Sequence, residues 1–327
     1  MYQDRTIGVV VPAYNEAGFV GDVIDTIPEF VDRVYAVDDA STDETWAEIR
    51  EHAAEQNPST PELVGGGGTE RRVVPMQHEG NRGVGGAIKT GYQRAVADGV
   101  DVVTVMGGGR RMNPDLIDQI IEPVTDGQAD YAKGNRLLIG DHRDSMPLFR
   151  YVRNVALTVL TRTASGYWGI GDPENGYTAI SIDAIEAVNV DEMYEYYGYC
   201  NDLLVRLNVA DMRVVDVPMP AVYGDEESHI EHSSYIPHVS SMLLRNFLWR
   251  IRAKYLSDRL HPVALCYVLA VASLTGGSVA GFATLVTGLG RTALVLFGFG
   301  LLFVVLAMAL DKRSNGHLSS VVAATPG

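Results

Sequence analysis

Two cysteines, Cys200 and Cys266, are too few for a disulfide framework or a multi-thiolate zinc site. Lysine is almost as scarce: Lys89, Lys133, Lys254 and Lys312 are the full set in 327 residues. The 26 Lys and Arg face 41 Asp and Glu, and a formal net charge of −15 argues against a nucleic-acid partner, which needs cations to neutralise its phosphates. No leader peptide is read at the start, because the first apolar run is short and passes straight into Asn15-Glu16.

What the chain does have is two long uncharged stretches, residues 263–290 and 292–310, separated by Arg291 alone. Each is long enough to cross a hydrocarbon core of ~30 Å as a helix. Gly276, Gly277 and Gly281 suit close helix packing in lipid. Residues 245–327 hold eight Lys or Arg and two acids, a surplus of +6, which leaves −21 on the first 244. Basic residues flank the pair of stretches on both outer sides, so the positive-inside tendency predicts a multi-pass protein of the cell membrane whose catalytic domain and both termini are cytoplasmic. The acidic, lysine-poor remainder resembles proteins of extreme halophiles, a statement about solubility rather than fold.

The N-terminal region alternates strand-like and helix-like segments, the pattern of an α/β sheet. Strands are expected at residues 7–11, 33–37, 73–77 and 102–106, with helices at 17–27, 43–54 and 87–97 and another starting at Pro114. Ser41 or Thr42 is the expected cap of the second helix. Polar clusters follow three strands: Tyr14-Asn15-Glu16, Asp38-Asp39 and residues 107–113. Ligands of open α/β sheets bind at the carboxyl ends of the strands, so three such clusters favour a nucleotide-type site over mere turns. The glycines at 83–86 lack the spacing of a dinucleotide fingerprint, which disfavours a nicotinamide-dependent dehydrogenase.

The runs Val10-Val11-Pro12-Ala13-Tyr14-Asn15-Glu16 and Val37-Asp38-Asp39-Ala40-Ser41-Thr42-Asp43 resemble the first two signatures of glycosyltransferase family 2, with the GT-A fold. Residues 83–89, Lys133-Gly134-Asn135-Arg136 and Asp172-Pro173-Glu174-Asn175-Gly176-Tyr177 follow in family order across residues 7–235. Together with the apolar tail, the set is similar to membrane-anchored polyprenol- and dolichol-phosphate hexosyltransferases. The resemblance implies a Rossmann-like mixed sheet over 1–235, an amphipathic interfacial segment at 236–260, a two-helix transmembrane hairpin at 263–310 and a cytoplasmic tail at 311–327. It also implies inverting transfer of a hexose from a UDP- or GDP-linked sugar to polyprenyl (dolichyl) phosphate, for cell-surface glycan or protein N-glycosylation. A lipid-linked sugar as acceptor, or a non-catalytic binding homologue, stands as the alternative.

By the same resemblance, Pro12, Tyr14 and Glu16 line the nucleoside pocket and Asp39 binds the base, whose N–H a carboxylate can accept. Asp38 reads equally well as a turn residue. Arg82, Lys89, Lys133 and Arg136 are expected phosphate or acceptor contacts, with surface ion pairs the alternative for Arg82 and Lys89. Asp172 and Asp202 match the family's acids near acceptor and sugar, as base or positioning group; an acceptor phosphate is already ionised and needs a base less. A turn before Pro173 and a helix cap at 201–202 are their structural readings.

The departure lies after the fourth strand. The family's acid for Mg²⁺ or Mn²⁺ falls on Gly109 and its companion on Arg111, and neither supplies a ligand for a divalent cation. No metal is therefore required as the sequence reads, and Arg110 and Arg111 are expected to neutralise the diphosphate directly. His229, in residues 223–229 that resemble the family's acceptor loop, reads as a polar loop residue. In the interfacial segment Leu244, Phe247, Leu248, Ile251 and Tyr255 recur at helical spacing with Arg245, Arg250, Arg252 and Lys254 between them, and Trp249 suits an interface.

Overall fold

The structure is a computed structural model that describes residues 1–57, 63–64, 68–69, 71–109, 112–138, 148–220, 232–256, 261–287 and 290–322. In chain order the elements are β1 (Ile7–Ala13), α1 (Val20–Thr26), β2 (Arg33–Asp38), α2 (Thr45–Gln56), the two-residue strands β3 (Leu63–Val64) and β4 (Gly68–Thr69), β5 (Val73–Gln77), α3 (Val84–Asp98), β6 (Val102–Val105), α4 (Ile117–Thr125) and β7 (Tyr131–Asn135). They continue with α5 (Leu148–Ser165), β8 (Thr178–Ser181), α6 (Ile182–Ala187), α7 (Tyr199–Val209), β9 (Val214–Pro218), α8 (His232–Tyr255), α9 (Pro262–Thr287), α10 (Gly290–Asn315) and β10 (Ser319–Val321).

Eight strands form one mixed sheet in the order β10-β9-β7-β8-β6-β1-β2-β5. The β1–β2, β2–β5 and β1–β6 pairs are parallel, whereas β8 runs antiparallel to both β6 and β7. Alternation along the strands divides the core between the two faces. Ile7, Val9, Val11, Val34 and Ala36 pack with α1, α2 and α4 on one side; Val10, Tyr35, Val37, Val103 and Val105 pack with α3, α6 and α7 on the other. Because the chain steps from β1 to β2 and β5, then returns to place β6 on the opposite side of β1, the strand order reverses at β1 and β6. That reversal opens a crevice at their carboxyl ends.

The expected helix at 17–27 begins later, at Val20, after Asn15 and Gly18 take left-handed φ of 53° and 82°. Neither Ser41 nor Thr42 caps α2. Ser41 Oγ accepts from Asn15 N–H, Thr42 N–H donates to Asn15 Oδ1, and Asp43 takes the Thr45 N–H. These bonds knit the two polar clusters into one rim.

Helices α9 and α10 are long and apolar enough to cross a membrane. They pack closely, with a Cβ at Gly300 falling 2.6 Å from Leu274 and one at Gly277 3.2 Å from the Phe297 nitrogen. Phe282 and Leu294 are 78% and 73% exposed on the outside of the pair, a surface suited to lipid.

The C-terminal boundaries differ from the expected ones. α10 runs to Asn315, and residues 319–321 return to the sheet as β10, parallel to β9, instead of trailing as a tail from 311. α8 is not confined to an interface either. Val239, Met242 and Leu243 pack on Ala164 and Val205, while Leu244, Leu248 and Trp249 remain outside. Arg250, expected among headgroups, is fully buried and forks onto both oxygens of Asp311 at 2.9 and 3.0 Å. Asp311 also accepts from Tyr255 Oη and Trp168 Nε1, and Arg250 Nε donates to the Ala164 carbonyl. One buried knot thus joins α5, α8 and α10. Through this knot and β10 the hairpin and α8 are bonded to the sheet domain across residue 235.

Candidate active site

The crevice is built from short loops that leave the strand ends and return at once. Gly108 N–H donates to the Pro12 carbonyl, so residues 107–109 lie along the end of β1. A Cβ on Gly108 would stand 3.2 Å from that of Ala13, and one on Gly109 would stand 3.0 Å from both carboxylate oxygens of Glu16. The place where the family's acid would project therefore faces a carboxylate from β1's loop. Pro12 is buried in the strand, and Tyr14 is nearly half exposed at the rim, with its ring available to a planar ligand. Asn15 and Ala40 hold positive φ of 53° and 60° at these loops, and Asp172 holds 41° in the segment before β8, conformations that cost non-glycine residues free energy and gather where geometry is over-determined.

Asp39 sits at the centre of this rim, 2% exposed. Its N–H donates to the Ala13 carbonyl. Its Oδ1 accepts from the Arg82 N–H at 2.8 Å and pairs with His78 Nδ1 at 2.7 Å, while Oδ2 is enclosed with no partner among the described residues. His78 Nε2 in turn meets Thr90 Oγ1 at 2.8 Å. His78 was not among the expected site residues; its position one residue beyond the third strand was the available signal. Asp38, by contrast, is consumed by the turn: it accepts from Ser41 N–H and Gln77 Nε2.

Two of the expected phosphate contacts are tied elsewhere. Lys89 is buried, with Nζ donating to the Asp191 carbonyl and to Glu195 Oε1 at 2.8 Å. Arg82, more exposed, donates to the same Glu195 oxygen at 2.7 Å. Hydrogen bonds from Arg82 and Lys89 hold the Glu195 carboxyl below the usual range. The glycine run also faces this segment, since a Cβ at Gly85 would fall 2.5 Å from the Tyr194 carbonyl and Gly86 N–H donates to the Glu195 carbonyl. The run thus serves close packing of α3 on residues 194–196, and both cations are paired with Glu195 in this ligand-free structure.

Lys133 also has internal partners. It is 1% exposed, donating to the Gly171 carbonyl at 2.6 Å and to Asp216 at 3.1 Å. Asp216, which sequence reasoning missed, also accepts from Asn135 Nδ2 and Gly171 N–H. This hub fixes the turn carrying Asp172 against the end of β7. There Arg136 forks onto Asp172 through Nε at 2.7 Å and Nη2 at 2.8 Å, and its own N–H donates to the same carboxylate. Burial works against ionisation of Asp172, but the Arg136 bonds and charge, with Lys133 adding to them, outweigh it and hold the carboxyl below the usual range. Such a group is a weak proton acceptor and a firm orienting one. Beside it opens a cavity of ≈ 170 Å³ lined by Met112, Asn113, Arg136, Asn175, Tyr177 and Met219.

Asp202 does not join this group. Buried at 1% exposure, it accepts from Asn246 Nδ2, Tyr194 N–H and Arg206 Nε. Those bonds tie α7 to α8 and give Asp202, expected as a base or positioning group, three internal donors. Arg110, Arg111 and His229 lie outside the described residues. Among the described residues no three His, Cys, Asp or Glu side chains converge where a cation could sit; a Mg²⁺ ion held largely by a diphosphate needs only one or two carboxylates from the protein.

Residues 8–188 match the model of glycosyl transferase family 2. The chain belongs to this family. It is similar to the UDP-N-acetylglucosamine–dolichyl-phosphate N-acetylglucosaminyltransferase of Methanococcus voltae, with 27% identity covering 68% of this chain and 88% of that protein. The undecaprenyl-phosphate mannosyltransferase of Micrococcus luteus is 28% identical, covering 65% and 82%. Glucosyl-3-phosphoglycerate synthase of Mycobacterium tuberculosis, solved with Mn²⁺, UDP and product, superposes with a TM-score of 0.51 at 20% identity, covering 76% and 80%. That likeness is to the fold, the GT-A fold, and the family makes the chain a glycosyltransferase.

Proposed function

We propose that this glycosyltransferase moves a hexose from a nucleotide-sugar to polyprenyl phosphate, dolichyl phosphate in the first instance, at the cytoplasmic face of the cell membrane, with inversion. The observation that carries the reading is the union of a nucleotide-type crevice with a lipid-suited hairpin in one rigid unit, through β10 and the Arg250–Asp311 knot. The named activities of the Methanococcus and Micrococcus relatives, both on lipid phosphates, support it.

In this reading Tyr14 packs on the base and Asp39 accepts its N–H. Arg136, oriented by Asp172, faces the acceptor phosphate across the cavity. The phosphate arrives ionised, so no side chain must remove a proton, which suits a carboxylate held in its charged form. Positioning and countercharge then carry the chemistry. Arg110 and Arg111, next in sequence to Gly109, supply the countercharge for the leaving diphosphate, and no step is assigned to a metal. The acid missing at Gly109 is also the observation that favours a second reading, a nucleotide-sugar-binding homologue without turnover.

The test is incubation of the full chain in membranes with dolichyl phosphate and labelled nucleotide-sugars, with and without excess EDTA. Glycolipid that forms in both conditions is the expected result. Nucleotide binding without product for any donor would favour the non-catalytic reading, and chelator-sensitive product would remove the arginine assignment.

A further inference from the structure

The bonding of Asp39 bears on which nucleobase the crevice takes. Oδ1 receives two donors, the Arg82 N–H and His78 Nδ1, which fill the lone pairs one carboxylate oxygen offers. A hydrogen bond at that oxygen uses the Nδ1–H of His78 as donor, and Thr90 Oγ1, which can donate or accept, meets Nε2. Oδ2 is left enclosed and unpartnered among the described residues, an arrangement that is costly unless a ligand brings a donor.

Nucleobases differ in what they offer such a group. Guanine presents N1–H and the N2 amino group side by side, a pair that a carboxylate takes with both oxygens. Uracil presents a single N–H, at N3, between two carbonyls. Cytosine presents its N4 amino donor beside an acceptor at N3, and a carboxylate that meets N3 is repelled. With Oδ1 filled, Asp39 has one acceptor to give, and the match is to one N–H.

We infer that His78 is a positioning residue for donor selection: by occupying Oδ1 of Asp39 it leaves a single-acceptor site that selects a uridine diphosphate over a guanosine diphosphate. This rests on the proposed donor role of the crevice and deepens it by naming the nucleotide.

The test is binding of UDP, GDP, CDP and 3-methyl-UDP, whose N3–H is replaced, to the purified full chain. UDP is expected to bind at least about tenfold more tightly than GDP or CDP. Methylation of N3 should cost about ten- to a hundredfold, the effect of losing a hydrogen bond to a charged group. His78→Leu should bring the UDP-to-GDP ratio towards one, and His78→Gln, which keeps an N–H for Oδ1, should restore it. A merely structural role for His78 would weaken both nucleotides together and leave the ratio unchanged, which would overturn the inference. GDP binding as tight as UDP, or 3-methyl-UDP as tight as UDP, would overturn it on the unaltered protein while leaving the transferase reading in place. Binding of none of the four would remove both.

Discussion

The two halves of the sheet treat their charged residues in opposite ways. On the side of β9 and β10, charge is turned inward and matched: Lys133 with Asp216, Arg250 with Asp311, Asp202 with Arg206 and Asn246. At the crevice beyond β1, β2 and β6, loops are held at positive φ and Asp39 keeps an enclosed oxygen without a partner among the described residues. The first arrangement is what a domain needs to stay locked to its hairpin; the second is what a ligand completes. A charged residue is thus informative about binding only once its internal partners are known.

The sharpest way to break this contrast is to remove the membrane side. A chain ended after Tyr235 loses β10, Arg250, Asp311 and the α8 residues that cover Ala164 and Val205. It is expected to aggregate or unfold, as judged by size-exclusion chromatography, although the sequence alone led us to expect a separable domain. A soluble, monomeric fragment that binds nucleotide would show that the two halves are independent.

Next in size are the buried pairs. Arg250→Met strands Asp311, and Lys133→Met strands Asp216; each should cost about 3–5 kcal/mol in unfolding measurements, the range for removing one partner of a buried pair. Replacing both partners, Arg250→Met with Asp311→Leu, should recover much of that loss. If Lys133→Met kept its stability and lost only nucleotide or acceptor binding, the ligand role first read for Lys133 would stand.

The smallest effect expected is at Asp172. Its folded pKa is depressed, so its pairing with Arg136 contributes stability that is complete above the unfolded value near 4 and is lost as pH falls through the lower folded value. The Asp172→Asn variant should be less stable than wild type at neutral pH, with the difference closing as pH falls below about 4. A difference independent of pH would assign the effect to packing.

Much of the donor half was legible because its strands are continuous apolar runs ended by polar clusters, a pattern that survives without tertiary information. The other half was not. β7 contains Lys133 and Asn135, and β10 begins Ser319-Ser320, so neither shows the apolar signature of a strand. Their partners, Asp216 and β9, are about 80 or 100 residues distant in sequence. Lys89 and Lys133 looked like ligands because scarce cations stood near glycines, yet their partners Glu195 and Asp216 become visible only in three dimensions. His78 was overlooked because a single histidine in a loop carries no pattern of its own.

The most direct test of the account is formation of hexosyl-phosphoryl lipid in vesicles containing dolichyl phosphate, comparing wild type with Asp39→Asn. The two donors at Oδ1 should keep the remaining amide oxygen there and turn the new NH2 group towards the base. The wild type should form product, and the variant should lose about ten- to a hundredfold in kcat/KM at matched thermal stability. Equal activity in the two proteins, or product only with a water-soluble acceptor, would contradict it.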